Sequence, residues 1–571
     1  MDTATQASTR SVVHGIPLAD EPGLGPLTIP FYLREVTNRY ADHEALVMRT
    51  PSGTERWTYA TLWDRSVEVA QALIAAGVGK GGRVGILMSN RLEYLACVFG
   101  TSLAGGVAVA LSTFSTPSEL EHLLQASAVS ILLFERQVAK QDFAAMLGQL
   151  EPKILATGTG QLASTKFPFL RRLVMLASVT SNTGEAATGA IERWSDFLAG
   201  GQKISPNLVD ARAATVTQAD PGVLFFSSGT TSLPKGILHA HRAVAVQWWR
   251  WPRIMSVTVP IRSWTGNGFF WSANISMVVG TALSTGGAVI LQPIFQADEA
   301  LDLMEQERVT MPVGRPHQWA RLQESPRWAT ADLSSLHYVT YGTTLATHPT
   351  VRTNWAPSNA FGTTETLTIM TSFPANVSPK VRGESHGEPL PGNVLKIVDP
   401  ATGAVAPRGH RGEIAIKGPT LMLGYLGKPL DKTLDDEGFF HTGDGGYVDE
   451  KGRLFWEGRL NDMIKTGGAN VSPLEVDAVL ATYPGVKRTQ TVGVPHETLS
   501  EMVVACIVPH DGTTLAEAPI RDFLKTHLAS FKIPRAILFF REEEFAVTGS
   551  EKVKTAALRA LATERLKEVA I

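Results

Sequence analysis

Across the first half of the chain, short β-branched runs alternate with helical patterns, and that alternation admits few folds. Val84 to Met88 is followed by a helical pattern through Tyr94 and then by the apolar run Val107 to Leu111. Units of strand, helix and strand build a largely parallel sheet with helices on its faces. Thr116-Pro117-Ser118-Glu119 marks a helix start: Thr116 can cap, Pro117 suits the first helical position, and Glu119 can complete a capping box. From Glu151 to about Asp220 the sequence is rich in Thr, Gly, Ser and Ala with weak periodicity, which predicts loops and surface elements before the sheet resumes. Near Gly458 the texture becomes more charged. There Ser472-Pro473-Leu474-Glu475 predicts a second capping box, with Val476, Val479, Leu480 and Tyr483 on one helical face. Ile520, Phe523, Leu524 and Leu528 mark another helix, and Met502 to Val508 reads as a strand between the two. The expected architecture is α/β. Residues 1–460 form a large, multi-subdomain N-terminal domain of mostly parallel sheets flanked by helices, and residues 461–571 form a small, mobile α+β C-terminal domain.

A chain of 571 residues that is 44% apolar and 19% charged can bury a large core, which excludes disordered and fibrous classes. Its 52 basic and 54 acidic side chains nearly cancel, which points away from nucleic acid or an anionic membrane as partner. Cys97 and Cys506 lie far apart in apolar runs, so no disulfide framework or CxxC motif is available and a reducing, cytoplasmic compartment is expected. Met1 to Gly25 lacks the apolar core of a signal peptide. Ser263 to Ala297 carries no charge, but glycines and polar residues from Gly266 to Gly287 interrupt it. It reads as a buried helix plus a buried parallel strand, Ala288 to Leu291, and not as a membrane span.

The strongest chemical signal follows the apolar strand Val223 to Phe226: Ser227-Ser228-Gly229-Thr230-Thr231-Ser232-Leu233-Pro234-Lys235-Gly236. Small residues let backbone N–H groups approach phosphate oxygens and an ammonium neutralises them, although composition alone also describes a flexible surface loop. A Walker loop is excluded, because Pro234 precedes Lys235 and Gly236 follows it. Three more motifs come in order: Phe361-Gly362-Thr363-Thr364-Glu365, His441-Thr442-Gly443-Asp444 and Gly458-Arg459-Leu460-Asn461-Asp462. Together they resemble the adenylate-forming superfamily of acyl-CoA synthetases, luciferases and nonribosomal adenylation domains. The likeness is strongest to an AMP-forming acyl-CoA synthetase and covers roughly residues 30 to 565.

Several of these residues also have readings of their own. Glu365 is a hard carboxylate beside the Thr364 hydroxyl, a pairing that suits Mg²⁺ carrying the phosphates of ATP. Asp444, in a Gly-flanked loop, can accept two hydrogen bonds from a ribose diol with Arg459 as a charged donor nearby; a solvated turn is the alternative. Tyr341-Gly342-Thr343-Thr344-Leu345 nearly repeats the later motif without its acid and reads plainly as a strand-end turn.

The resemblance implies further roles. Gly342, Thr343, Phe361, Gly362 and Thr363 bind the nucleotide, and Ser227, Ser228, Gly229, Thr230, Thr231 and Lys235 hold its phosphates. Thr364, Glu365 and Lys552 are catalytic, Lys552 lying in Thr548-Gly549-Ser550-Glu551-Lys552. Asn461 is the hinge, and Gly468 of Lys465-Thr466-Gly467-Gly468 borders the tunnel for a pantetheine arm. The chain departs from the family pattern at Asn461, where Asp or Lys is usual, at Ala546 for a usual Pro, and at Glu551 for a usual Gly. Those departures bear on the rates of hinging and adenylation.

The implied reaction has two halves. The carboxylate attacks the α-phosphorus, with Mg²⁺ and Lys235 stabilising the departing pyrophosphate and Lys552 offsetting charge at the α-phosphoryl group. The C-terminal domain then turns about Asn461, and a thiol attacks the acyl-adenylate. The expected small-molecule partners are a carboxylic acid, ATP and coenzyme A, with no nucleic acid, no transmembrane segment and a homodimer as a compatible assembly. Coenzyme A is preferred as acceptor because the chain ends soon after Lys552; a separate carrier protein and a binding-only homologue are the alternatives. Trp248, Phe270 and Trp271 suggest a hydrophobic monocarboxylic acid, aryl or alicyclic first and medium-to-long-chain fatty acid next, although such aromatics are also ordinary core.

Overall fold

The computed structural model describes residues 10–179, 188–227, 234–460, 464–471, 473–545 and 555–569. Among these, the apolar runs of the first half form the expected parallel sheet. Ile191–Arg193, Arg172–Leu176, Ile131–Glu135, Arg83–Leu87, Val107–Ala110 and Pro221–Ser227 lie side by side in that order, all parallel. The antiparallel strands Lys235–Ala240 and Gly424–Tyr425 finish one edge. Val107–Ala110 and Ile131–Glu135 are buried along their whole length, which is why they read as continuous apolar runs without alternation. The capping box forms as expected at the Pro117–Ser127 helix: the Glu119 N–H donates to Thr116 Oγ1 at 3.3 Å, and the Thr116 N–H to Glu119 Oε2 at 2.9 Å.

One expectation is corrected. The weakly periodic stretch after Glu151 supplies two strands of this sheet, Arg172–Leu176 and Ile191–Arg193, and the helices Trp194–Gly201 and Pro206–Ala214. A parallel strand of a few residues, buried on both faces, has no period for a sequence pattern to reveal.

A second sheet runs Met311–Val313, Arg262–Thr265, Ala288–Leu291 and Glu44–Thr50 in parallel, with Gly53–Thr58 antiparallel at its edge. The uncharged stretch from Ser263 contributes to two of these strands, with the helical turns Ser272–Asn274, Ile275–Val279 and Gly280–Ser284 between them. Among the described residues no helix is long and apolar enough to cross a membrane. An antiparallel sheet follows, built from Val12–His14, Val394–Val398, Gly412–Lys417, Phe440–Val448 and Leu454–Arg459.

The last sheet draws every strand from residue 464 onward: Ala469–Val471, Ile464–Thr466, Ser500–Pro509 and Val486–His496, with Ala536–Phe539 alongside Ser500–Pro509. Helices Pro473–Leu480 and Glu517–Lys525 bury Val476, Leu480, Ile520 and Leu524 against it, as their spacing predicts. This module has its own hydrophobic core, separate from those of the large domain.

Candidate active site

A cavity of about 330 Å³ opens at the carboxyl ends of strands from both parallel sheets, where α/β folds hold their ligands. Ala110 and Ser227 end strands of the first sheet; Phe270 and Trp271 follow Arg262–Thr265 of the second, and Arg315 follows Met311–Val313. Gly362, Thr363 and Thr364 form another wall. Gly468, Ala469, Ala529, Phe531 and Lys532 of the C-terminal module close it.

The Thr364 wall is tightly held. Gly362 is required because a Cβ there would fall 1.6 Å from the Thr368 carbonyl oxygen. The Thr363 N–H donates to Thr366 Oγ1 at 3.0 Å, and Gln247 Nε2 donates to the carbonyls of Thr366 and Ile369. His239, fully buried, contacts the Thr364 carbonyl through Nε2 at 2.8 Å. Burial pulls the His239 pKa down to about 4, so the ring is neutral near pH 7, and because a carbonyl only accepts, its proton sits on Nε2.

Tyr425 donates its hydroxyl to Glu365 Oε1 at 2.6 Å, and Lys235 Nζ lies 5.6 Å from the same ring. The antiparallel hairpin pairs Ser227 with Lys235 in register, so both ends of the hydroxyl-rich loop meet here. Among the described residues no group of three or more His, Cys, Asp or Glu side chains could hold a metal. One carboxylate, Glu365, beside the Thr364 hydroxyl fits an ion that takes its remaining oxygens from phosphates and water, as Mg²⁺ does.

Asp444 is corrected from a loop residue to a strand residue. It lies in Phe440–Val448, is 3% exposed, and accepts from Trp456 Nε1 at 3.1 Å. The Gly443 that suggested a loop adopts a φ of +70° inside the strand. Arg459 is paired in register with Asp444 on the adjacent strand. The module's Lys465 places its Nζ 3.1 Å from the centre of the Trp456 ring, so the indole that holds Asp444 also carries a cation from across the seam.

The aromatic expectation divides. Phe270 and Trp271 line the cavity with ring centres 4.9 Å apart, and Trp271 meets Phe531 of the module edge-on at 6.0 Å. Trp248 does not line it. At 1% exposure it packs against Tyr32 and Phe99, and its indole N–H donates to the Ile275 carbonyl. The helix His241–Ile254 buries nearly all of its sides, so a tryptophan there fills core. Phe361 is likewise core, packed with Ile237 and Met370, and Gly342 and Thr343 lie at a surface turn and are not among the residues lining the cavity. Gly468 does line it, at φ +82°. Ser228, Gly229, Thr230, Thr231, Asn461, Ser472, Ala546, Glu551 and Lys552 lie outside the described residues.

Residues 33–426 match the family model described as AMP-binding enzyme, and residues 475–552 match the AMP-binding enzyme C-terminal domain. The chain belongs to the AMP-binding enzymes. Among curated relatives of this AMP-binding enzyme, a putative acyl-CoA synthetase, YngI, of Bacillus subtilis is 28% identical over 541 residues, 93% of this chain and 96% of the relative. A 3-[(3aS,4S,7aS)-7a-methyl-1,5-dioxo-octahydro-1H-inden-4-yl]propanoyl:CoA ligase of Mycobacterium tuberculosis is 31% identical over 522 residues, 90% of this chain and 95% of the relative. The structure of the amide bond synthetase McbA from Marinactinospora thermotolerans shares the fold, with a TM-score of 0.70 at 23% identity over 93% of this chain and 99% of that one. By family this AMP-binding enzyme stands with the AMP-forming acyl-CoA synthetases.

Sequence reasoning missed several residues of this AMP-binding enzyme's site. His239 and Gln247 clamp the Thr364 turn, yet each is a lone polar residue in an apolar run, where only its burial gives it away. Glu119, recognised for its capping box, also accepts from the Ala529 N–H and from Lys532 Nζ, both at 3.1 Å, and Lys532 reaches Glu475 at 2.7 Å. All three ionic side chains are nearly inaccessible to solvent. Glu119 and Lys532 are 413 residues apart, so local sequence carries no sign of their pairing.

Proposed function

We propose that this chain is an AMP-forming acid:CoA ligase acting on a hydrophobic carboxylic acid, aryl or alicyclic first and medium-to-long-chain fatty acid next. The observation that carries the reading is the single cavity whose walls are the Thr364 turn, the aromatic pair Phe270 and Trp271, and the Gly468 turn of the C-terminal module. An activating end, an apolar body and a covering wall beside a glycine turn are what successive activation and thiol transfer require. The alicyclic acid named in the Mycobacterium tuberculosis relative agrees with the aromatic lining.

In this reading Ser227, with Ser228, Gly229, Thr230 and Thr231, cradles the phosphates of ATP, and the Lys235 ammonium lowers the charge on departing pyrophosphate. Glu365 and Thr364 hold Mg²⁺, which when bound supplies positive charge to the phosphates. His239 and Gln247 fix the carbonyls of the Thr364 turn, so its hydroxyls face the substrate without rearranging. Lys552 offsets the charge gathered where the acid's carboxylate meets the α-phosphorus. Asp444 and Arg459 bind the ribose, and the aromatic wall excludes water from the mixed anhydride. The module, taken as residues 461–571 with Asn461 as its hinge, then presents Gly468 beside the arm of coenzyme A. Cytoplasmic residence fits two cysteines that are buried, unpaired thiols.

Lys552→Ala tests this assignment. The variant is expected to lose acid-dependent pyrophosphate release by about 100-fold or more while converting preformed acyl-adenylate and CoA to thioester at close to the wild-type rate. Equal loss of both half-reactions would remove Lys552 from its role.

A further inference from the structure

The cavity has three charged lining residues among those described, Glu119, Lys532 and Arg315. Glu119 and Lys532 pair with one another, and Lys532 also with Glu475. Arg315 is different. Its backbone N–H donates to Gln318 Oε1 at 3.0 Å, but its guanidinium makes no hydrogen bond or ion pair among the described residues. The Gly468 turn lies against it, since a Cβ on Gly468 would fall 2.1 Å from Arg315 Nε. With no counter-charge among the described residues, burial pulls its pKa below the ordinary arginine value, and burial, followed by the charges of Arg535, Arg315 and Arg321, lowers that of the neighbouring His317. A guanidinium keeps its charge in such a place and offers a rigid fork of donors to an oxygen acceptor.

We propose that Arg315 recognises a second oxygen acceptor on the acid, a carboxylate or carbonyl remote from the carboxylate that reacts. This rests on the ligase reading above. Arg315 stands at the end of a strand in the same sheet that presents Phe270 and Trp271, while Thr364 and Lys235 belong to other elements, so its partner is placed with the body of the acid and not with its reacting end. The phosphates of coenzyme A lie at the opposite end of its arm from the thiol, so a thiol that enters this cavity leaves them outside. The acid therefore has an apolar body interrupted by one oxygenated group.

The test compares matched acids on the full-length enzyme with ATP, Mg²⁺ and CoA: cyclohexanepropanoic acid against its 4-oxo and 4-carboxy derivatives, and phenylpropanoic acid against its 4-carboxy derivative. The wild type is expected to favour at least one oxygenated member by about 10- to 100-fold in kcat/KM. Arg315→Leu abolishes that preference, lowering kcat/KM for the oxygenated acids by about 10-fold or more beyond any change it makes with the unsubstituted acids; Arg315→Lys, which keeps the charge without the fork, restores part of it. Unsubstituted acids turned over with no oxygenated preference, a uniform fall across all acids in the Leu variant, or a change confined to the KM for CoA would each overturn the inference while leaving the ligase reading intact. Silence with every acid would overturn the ligase reading instead, and with it the basis for the inference.

Discussion

The large domain and the seam to the C-terminal module both bury ions, but in different ways. In the large domain Arg250 and Glu21, 0% and 1% exposed, form two parallel hydrogen bonds of 2.9 and 2.8 Å. Arg250 also donates to the Pro391 carbonyl, and Arg253 adds a second cation to Glu21 at 3.2 Å. At the seam one ammonium, Lys532, lies between two carboxylates, Glu119 and Glu475. Planar forks around one anion fix a geometry, whereas a point charge between two anions has slack and leaves net negative charge in a buried place. Burial raises the Glu475 pKa, with Glu119 adding to the rise and Lys532 opposing it. The contrast teaches that the first cluster fastens the N-terminal segment to the His241–Ile254 helix, while the second stands in the cavity wall, where its strength bears on substrate access.

The largest expected effect breaks the first cluster. Arg250→Met strands the buried Glu21 carboxylate with one partly exposed partner, and urea unfolding of the large domain is expected to show a loss of about 3–5 kcal/mol. A loss below about 1 kcal/mol would show that the first cluster does not fasten the N-terminal segment. Lys532→Met is expected to cost about 3 kcal/mol, but locally: hydrogen exchange should quicken in residues 464–471 and 529–532 while the parallel sheets keep their protection. Uniform loosening of the whole chain would erase the distinction.

A third test uses pH within the module. Asp477 accepts from the hydroxyls of Thr491 and Thr489 at 2.7 and 3.2 Å, and burial pushes its pKa up from 3.8 to about 7. A raised carboxyl pKa means the folded form binds the proton more tightly than the unfolded chain. Its contribution is therefore most favourable below pH 3.8 and declines as pH rises toward 7. Asp477→Asn should flatten that slope and raise module stability at pH 8 by about 2 kcal/mol, measured by denaturant titration at pH 5 and pH 8. Smallest is Trp271→Ala, which removes the edge-on contact with Phe531 and should weaken the seam by about 1 kcal/mol, read by limited proteolysis around residue 460.

What was legible in the sequence follows from which forces act locally. The capping box at Thr116 and the helices at Val476 and Ile520 were readable because caps and 3.6-residue periods depend on near neighbours. The strand Arg172–Leu176 was not, since its side chains are mostly buried and nothing alternates. In the site, the Gly468 turn was legible because close backbone approach favours glycine, whereas the contact that requires glycine at 362 comes from the fold. Trp248 misled because a tryptophan in a core and one in a pocket have the same neighbours in sequence, and only packing separates them. Arg315 gave no sign at all. Its meaning lies in having no carboxylate partner among the described residues, which becomes visible only once Met311–Val313 has been laid beside Arg262–Thr265 and the module's turn has been placed over it.

Whether this cavity activates an acid with ATP and passes it to coenzyme A is read from AMP and pyrophosphate release with ATP and Mg²⁺ across fatty, aryl and alicyclic acids, each with and without CoA. An acid:CoA ligase gives CoA-dependent AMP formation with a hydrophobic acid class and accumulates the matching thioester. Pyrophosphate release with no thioester would contradict the thiol step and favour a carrier protein as acceptor, and no AMP with any acid would contradict the catalytic reading altogether.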